Sequence, residues 1–322
     1  MKQIKTLVTA GLVAAVGFSG VAVAQSSYPD RPIQMIVAYS AGGGTDIAAR
    51  TLAPFIGKYL NGSVTVVNKP GAGGEVGFTE IAQAKPDGYT IGFINTPNLV
   101  TIPIQRETRY QLESFTPVNN VVYDPGGVHV RPDSEIQSLA GLVEYAKANP
   151  NAVTYGTTGI GSDDHLAMLA LERAADIKMT HVPFPGSSAV RSALMGGHIS
   201  LGVFNMGEGV SMLREGQVRS LGQMGENRWD QAADIPTFKE QGYDIVQGSS
   251  RGIATPAGVS DEIIQKLAAA IQKAIADPEF QKKAAEQSLP LDSTGPKEYS
   301  EMLYKTRDGY MTLWQEQPWV SK

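Results

Sequence analysis

Cysteine is absent from the 322-residue chain. This excludes disulfides, thiolate nucleophiles, thiolate metal sites and a lipid anchor attached through cysteine. Histidine is scarce: His129, His165, His181 and His198 are the only four, and their spacing is not that of a metal site. Basic residues are in the minority, 27 Lys and Arg against 32 Asp and Glu, which argues against a nucleic-acid partner. A long apolar run is also missing. The stretch 7–18 is glycine-interrupted and well short of the ~20 residues of a membrane span.

What the first residues do contain is the pattern of an export signal. Lys2 and Lys5 precede the apolar stretch, and Ala22-Val23-Ala24 supplies small residues for cleavage. Residues 1–24 are therefore expected to be a signal peptide cleaved near Ala24. Loss of its two lysines leaves 25 basic against 32 acidic residues, a net charge of −7. A soluble, exported, disulfide-free chain fits a bacterial periplasm, without membrane insertion of the mature protein. The remaining length is sufficient for two lobes.

The most informative segment is Val37-Ala38-Tyr39-Ser40-Ala41-Gly42-Gly43-Gly44-Thr45-Asp46. An apolar strand runs into three glycines and then directly into a helix capped by Thr45 or Asp46. Consecutive glycines leave backbone N–H groups uncovered at the positive end of the helix, a ready anion site. A Walker-type loop would end in lysine, whereas this one ends in Thr-Asp, which suits a carboxylate better than a triphosphate. Similar turns recur at Gly71-Ala72-Gly73-Gly74 and at Gly156-Thr157-Thr158-Gly159-Ile160-Gly161-Ser162. Three such loops point to a binding cleft.

Strand-like and helix-like segments alternate. Strands are expected at 33–38, 64–67 and 90–94, with helices at 45–60 and 74–84 between them. A second unit holds strands at 118–130, 153–155, 178–182, 199–204 and 218–223, and helices at 139–148, 164–174 and 187–194. A short helix at 236–241, an extended segment at 245–254 and helices at 260–276, 278–287 and 296–314 follow. This rhythm predicts an α/β protein with mostly parallel sheets flanked by helices, ligand sitting at the carboxyl ends of the strands. Residues 26–122 with 224–322 are assigned to lobe 1 and 123–223 to lobe 2, with crossings near 121–123 and 221–224.

Other motifs fail on context. Gly71, Gly73 and Gly77 resemble a dinucleotide fingerprint, but the acidic residue that should end the next strand is missing. Gly248-Ser249-Ser250-Arg251-Gly252 spells a hydrolase elbow, yet the chain continues extended and no histidine follows His198. Ser162-Asp163-Asp164-His165 contains triad residue types, but neighbours at a helix start cannot converge on one atom. Ser162 and Asp163 read as caps, and His165 as a side chain near the cleft. Arg251, in an apolar extended segment, either clamps a ligand carboxylate or forms an interlobe salt bridge.

The chain resembles the Bug/TctC family, the periplasmic receptors of tripartite tricarboxylate transporters. The landmarks are Tyr28-Pro29-Asp30-Arg31-Pro32-Ile33, the 41–50 loop, Asn68-Lys69-Pro70-Gly71-Ala72-Gly73-Gly74, Lys85-Pro86-Asp87-Gly88-Tyr89-Thr90, His181-Val182-Pro183-Phe184 and Asp234-Ile235-Pro236-Thr237. The resemblance implies a two-lobed venus-flytrap fold of type II that closes on a small carboxylate, without cofactor, metal or catalysis. It implies one carboxylate held by Ser40, Gly42, Gly43, Gly44 and Thr45, by Ala72 and Gly73, and by Thr157, Thr158, Gly161 and Ser162. Tyr39 and His165 border that set, and Asp46 serves as cap or water orienter. The far end of the ligand is expected at Asn95, Thr96, Asn205 and Arg251. A second ligand carboxylate facing Arg251 implies a di- or tricarboxylate, aromatic dicarboxylates included. The implied partners are the small carboxylate and the membrane permease subunits, the receptor itself being a monomer. A periplasmic sensor feeding a signalling protein and a carboxylate-acting enzyme are the alternatives.

Overall fold

The computed structural model describes residues 28–320, so the expected signal peptide lies outside the described residues. In chain order the elements are β1 (Ile33–Val37), α1 (Gly44–Leu60), β2 (Val64–Asn68), α2 (Glu75–Ala82), β3 (Thr90–Thr96), α3 (Asn98–Gln105), β4 (Phe115–Val130) and α4 (Leu139–Ala148). They continue with β5 (Thr154–Thr157), α5 (Asp163–Ala175), β6 (Thr180–Pro183), α6 (Ser187–Met195), β7 (Leu201–Asn205), α7 (Met206–Arg214) and β8 (Arg219–Gln223). The chain closes with β9 (Gly248–Pro256), α8 (Asp261–Ala276), α9 (Pro278–Glu286), β10 (Leu291–Thr294) and α10 (Pro296–Glu316).

Two α/β lobes share one long strand. In lobe 1, β2, β1 and β3 are parallel, β9 adds to β3 in antiparallel sense, and β4 adds antiparallel to β9. In lobe 2, β6, β5 and β7 are parallel, and β7 and β8 pair antiparallel with β4. Strand β4 is 16 residues long, about 50 Å at the usual strand rise. Its first part, to Pro125, pairs with β9, and its last part, from Gly126, pairs with β7 and β8.

Each lobe has its own core. The first gathers the strand residues Ile33, Met35, Ile91, Phe93 and Ile253 under the apolar face of α1 and α8. The spacing of Leu52, Phe55, Ile56 and Leu60 on α1 puts them on one side of the helix, which is why it lies down on the sheet. Gly77 allows that close packing on the other face, since a Cβ there would stand 2.6 Å from the Ala38 Cα.

The second core contains Val128, Leu142, Met168, Leu171 and Val203, and also Phe238 and Ile245. Residues 224–247 therefore pack with lobe 2, where the sequence placed them in lobe 1. The return crossing lies at Gln247–Gly248: the Gln247 N–H donates to the Met224 carbonyl, and the Gly126 N–H donates to the Gln247 carbonyl at 2.9 Å. The outward crossing lies at Asp124–Gly126. The helix expected over 236–241 is a turn, because Thr237 bridges to Gln223 and extends the sheet edge. Helices α3 and α7, absent from the sequence reading, directly follow β3 and β7.

Candidate functional site

The three glycine loops and the two crossings meet between the lobes. Tyr39, Gly44, Asn95 and Arg251 line this cleft from lobe 1, and Thr158, Asp163, Ser187, Asn205 and Glu208 from lobe 2. The lobes are shut on each other. Thr101 Oγ1 donates to the Gly161 carbonyl at 2.7 Å, and Arg191 Nη2 donates to the Gly42 carbonyl at 2.6 Å. The cavity these residues enclose is about 20 Å³, room for about one water molecule.

At the amino end of α1 the Gly44 N–H donates to Glu208 Oε1 of lobe 2 at 2.9 Å. A larger residue here would push both partners aside: a Cβ on residue 44 would come within 2.3 Å of that oxygen and 2.6 Å of Arg251 Nη1. Asp46 faces away from the cavity. It accepts from the Gly42 N–H, Arg50 Nε and Asn68 Nδ2, each at 2.9 Å. Burial opposes its ionisation, but those three donors together hold its pKa below the ordinary carboxylate range. Asp46 thus orders the first loop.

Arg251 is the most deeply placed cation, 2 % exposed. Its Nη1 meets Asp124 Oδ2 at 3.1 Å, and its Nη2 meets Glu208 Oε1 at 3.2 Å and Asn205 Oδ1 at 2.7 Å. Of the two roles open to it, the geometry is the interlobe salt bridge, with both terminal nitrogens already engaged. Asn205 is equally committed, since its Nδ2 donates to Asp163 Oδ2 and to the Asp124 carbonyl. The Asn205 amide and both terminal nitrogens of Arg251 are thus committed within the protein, and Arg251 Nε alone has no partner.

The inner wall is rich in acid. Burial pushes Asp163 up to about 6, against the pull of Asn205 and Arg251. Burial likewise raises Asp124 to about 7 despite the adjacent guanidinium. Asp164 is raised well above its ordinary value by burial and by Asp163.

The third loop is held from behind by a stack of neutral rings. His165 Nδ1 accepts from the Gly161 N–H at 3.1 Å, and its ring lies on His181 with centroids 4.1 Å apart. His181 in turn stacks on Tyr155 and bonds Thr157 Oγ1. Burial lowers His165 to about 3 and His181 to about 4. Ser162 caps α5 by accepting from the His165 N–H.

Of the expected site residues, Tyr39, Gly43, Gly44, Thr45, Asn95, Thr158, Asn205 and Arg251 line the cavity. Ser40, Gly42, Asp46, Ala72, Gly73, Thr96, Thr157, Gly161, Ser162 and His165 lie around it without lining it. Asn98 lines the cavity and ties down the second loop by donating to the Gly73 carbonyl. Asp163, read as a cap, turns into the cavity. Glu208, Ser187, Asn98 and Ser249 were not anticipated. Glu208 had a legible signal, because Asn205-Met206-Gly207-Glu208 is a capping box. The Gly248–Gly252 segment is continuous strand, without the turn an elbow needs.

A fold of two α/β lobes joined by crossing strands, with a helix terminus facing the cleft, defines a solute-binding protein. The family model described as "Tripartite tricarboxylate transporter family receptor" (TctC) matches residues 48–306. The "UPF0065 protein in gbd 5'region" of Cupriavidus necator is 32% identical over 314 residues, covering 95% of both chains. The solved periplasmic binding protein BugD superposes with TM-score 0.85 at 28% identity, over 90% of this chain and 98% of that one. MatC from Rhodopseudomonas palustris, solved with bound malate, superposes with TM-score 0.83 at 23% identity over 89% and 99% of the two chains. The chain belongs to the TctC family and is a solute-binding receptor of the Bug/TctC type. Among the described residues no helix is long and apolar enough to cross a membrane.

Proposed function

We propose that this receptor works in the periplasm, captures a small carboxylate between its lobes and delivers it to the membrane permease of a tripartite tricarboxylate transporter. The observation that carries this reading is the Gly44 N–H, which in the closed form already binds a carboxylate, that of Glu208, at 2.9 Å. The amino end of α1 has the polarity and, once Glu208 moves off, the backbone donor for a ligand carboxylate. Thr158 and Ser187 face it from lobe 2.

The family's description, not Arg251, makes a di- or tricarboxylate of modest size the ligand class. Because the closed cavity has room for only about one water, the lobes open to admit it and close on it again, favoured by contacts made only in the closed state. The process involves no bond chemistry. Arg251 acts as a brace between the lobes. Its neutralisation by Asp124 and Glu208 removes the earlier reason to require a second ligand carboxylate beside it.

The test is a thermal-shift panel on mature protein refolded to remove carried-over ligand, using acetate, malate, adipate and citrate. A ligand that binds the native state alone at 100 times its Kd stabilises by about 2.7 kcal/mol, a readily measured rise in Tm. A rise with one carboxylate class supports the reading, and a flat panel refutes it for these acids. Delivery is tested by uptake of the same acid in a strain lacking the gene, where unchanged uptake would refute the transport role.

A further inference from the structure

Glu208 stands where two demands meet. It starts α7 in lobe 2, closing its own capping box by accepting from the Asn205 N–H at 3.2 Å. Its other oxygen reaches across the cleft to the Gly44 N–H and to Arg251. No other side-chain carboxylate among the described residues accepts from the first residue of α1. The group in the anion-accepting position of the closed receptor thus belongs to the protein itself.

Three further observations bear on what that contact does. The cavity beside it has unanswered polar atoms: Asn95 Oδ1 and Arg251 Nε, on side chains 5 % and 2 % exposed, have no partner. On the opposite side of the Glu208–Arg251 pair lies a second cavity of about 270 Å³, bordered by Ile47, Arg191, Ser211 and Leu289. A displaced Glu208 carboxylate has space there beside the Arg191 guanidinium, whose Nη2 is released from the Gly42 carbonyl when the lobes part. Finally, Arg251 keeps Asp124 and Asn205 when Glu208 leaves, so departure does not strand a buried charge.

We propose that Glu208 is an internal competitor of the ligand: its carboxylate occupies the amino end of α1, latches the empty receptor shut, and must be displaced before a carboxylate ligand can bind. This rests on the proposed function for the identity of the competing group, but the latch itself is measurable without ligand. A latch that holds about nine empty molecules in ten shut weakens binding about tenfold.

The absence of cysteine permits clean double labelling. Val76 of lobe 1 and Met195 of lobe 2 are exposed, and V76C/M195C carries one spin label on each lobe. Interlobe distances are measured on ligand-free protein with Glu208 intact, with Glu208→Ala, and with Glu208→Asp, which keeps the charge but is one methylene short of Gly44. The short closed distance is expected to dominate with Glu208 intact, and both variants are expected to shift to longer distances. Calorimetry with malate is expected to show binding about tenfold tighter in the variants. An open distribution with Glu208 intact, closed variants, or variants that bind malate more weakly would overturn the latch. Failure of all three proteins to bind malate would count against the ligand class alone, since the distances still decide the latch. Far-UV circular dichroism confirms that each variant is folded, and either variant suffices for the distance test.

Discussion

Replacing Arg251 with methionine separates its two roles. The Arg251, Asp124 and Glu208 side chains are 2 %, 1 % and 5 % exposed, with contacts of 3.1 and 3.2 Å. Removing the one cation from such a cluster leaves buried carboxylates unpaired, a loss of about 3–5 kcal/mol in comparable cases. Here the lower end applies. Asp124 retains the Gly207 N–H at 2.8 Å, and Glu208 retains the Gly44 N–H. A loss of about 3 kcal/mol lowers Tm by about 5 °C in a protein of this size. The penalty should shrink on acidification, because Asp124 protonates near 7 in the folded state and a neutral carboxyl no longer needs the guanidinium. Scanning calorimetry of R251M and the parent protein at pH 5 and pH 8 measures both effects. A Tm unchanged at pH 8, accompanied by loss of carboxylate binding, would refute the brace and restore the ligand clamp.

Two further perturbations probe the cleft. Asp163→Asn removes a carboxyl whose folded pKa is raised to about 6. A raised acid binds protons more readily in the folded state, so stability falls as pH rises from about 4 through 6. The variant should be more stable than its parent by about 2 kcal/mol at pH 8 and no more stable at pH 4, as urea titrations at the two pH values would show. Thr101→Val deletes the interlobe hydrogen bond to Gly161. Because water satisfies the carbonyl once the lobes open, the loss of about 1–2 kcal/mol falls on the closed state, and in the Glu208→Ala protein, whose empty form is open, it weakens ligand binding about tenfold. Calorimetry with the acid giving the largest thermal shift tests this, and unchanged affinity would show that this contact does not stabilise closure.

Much of lobe 1 was legible because its signals are local. The apolar spacing along α1, the glycines before it and the Pro86-Asp87-Gly88 turn each specify a neighbouring element without outside help. The lobe boundary was not. Residues 224–247 have little regular structure, and the burial of Phe238 and Ile245 in the second core, with the Thr237–Gln223 bridge, reveals their side of the molecule. Helix α3 was missed because it is eight residues long and contains Pro103, which breaks the usual helical signature.

The same division runs through the site. By itself the sequence determined that glycine turns open onto helices, that thiol and metal chemistry have no basis in cysteine, and that Ser162 caps α5. These follow from backbone sterics, composition and hydrogen bonds within a few residues. Tertiary structure decided what Arg251 touches, because its partners Asp124 and Glu208 lie 127 and 43 residues away and meet only when both lobes fold and close. It also decided that Gly44 carries no side chain for a reason beyond the turn. Gly44 is where α1 receives a carboxylate from the opposite lobe, and a Cβ there would occupy the same space.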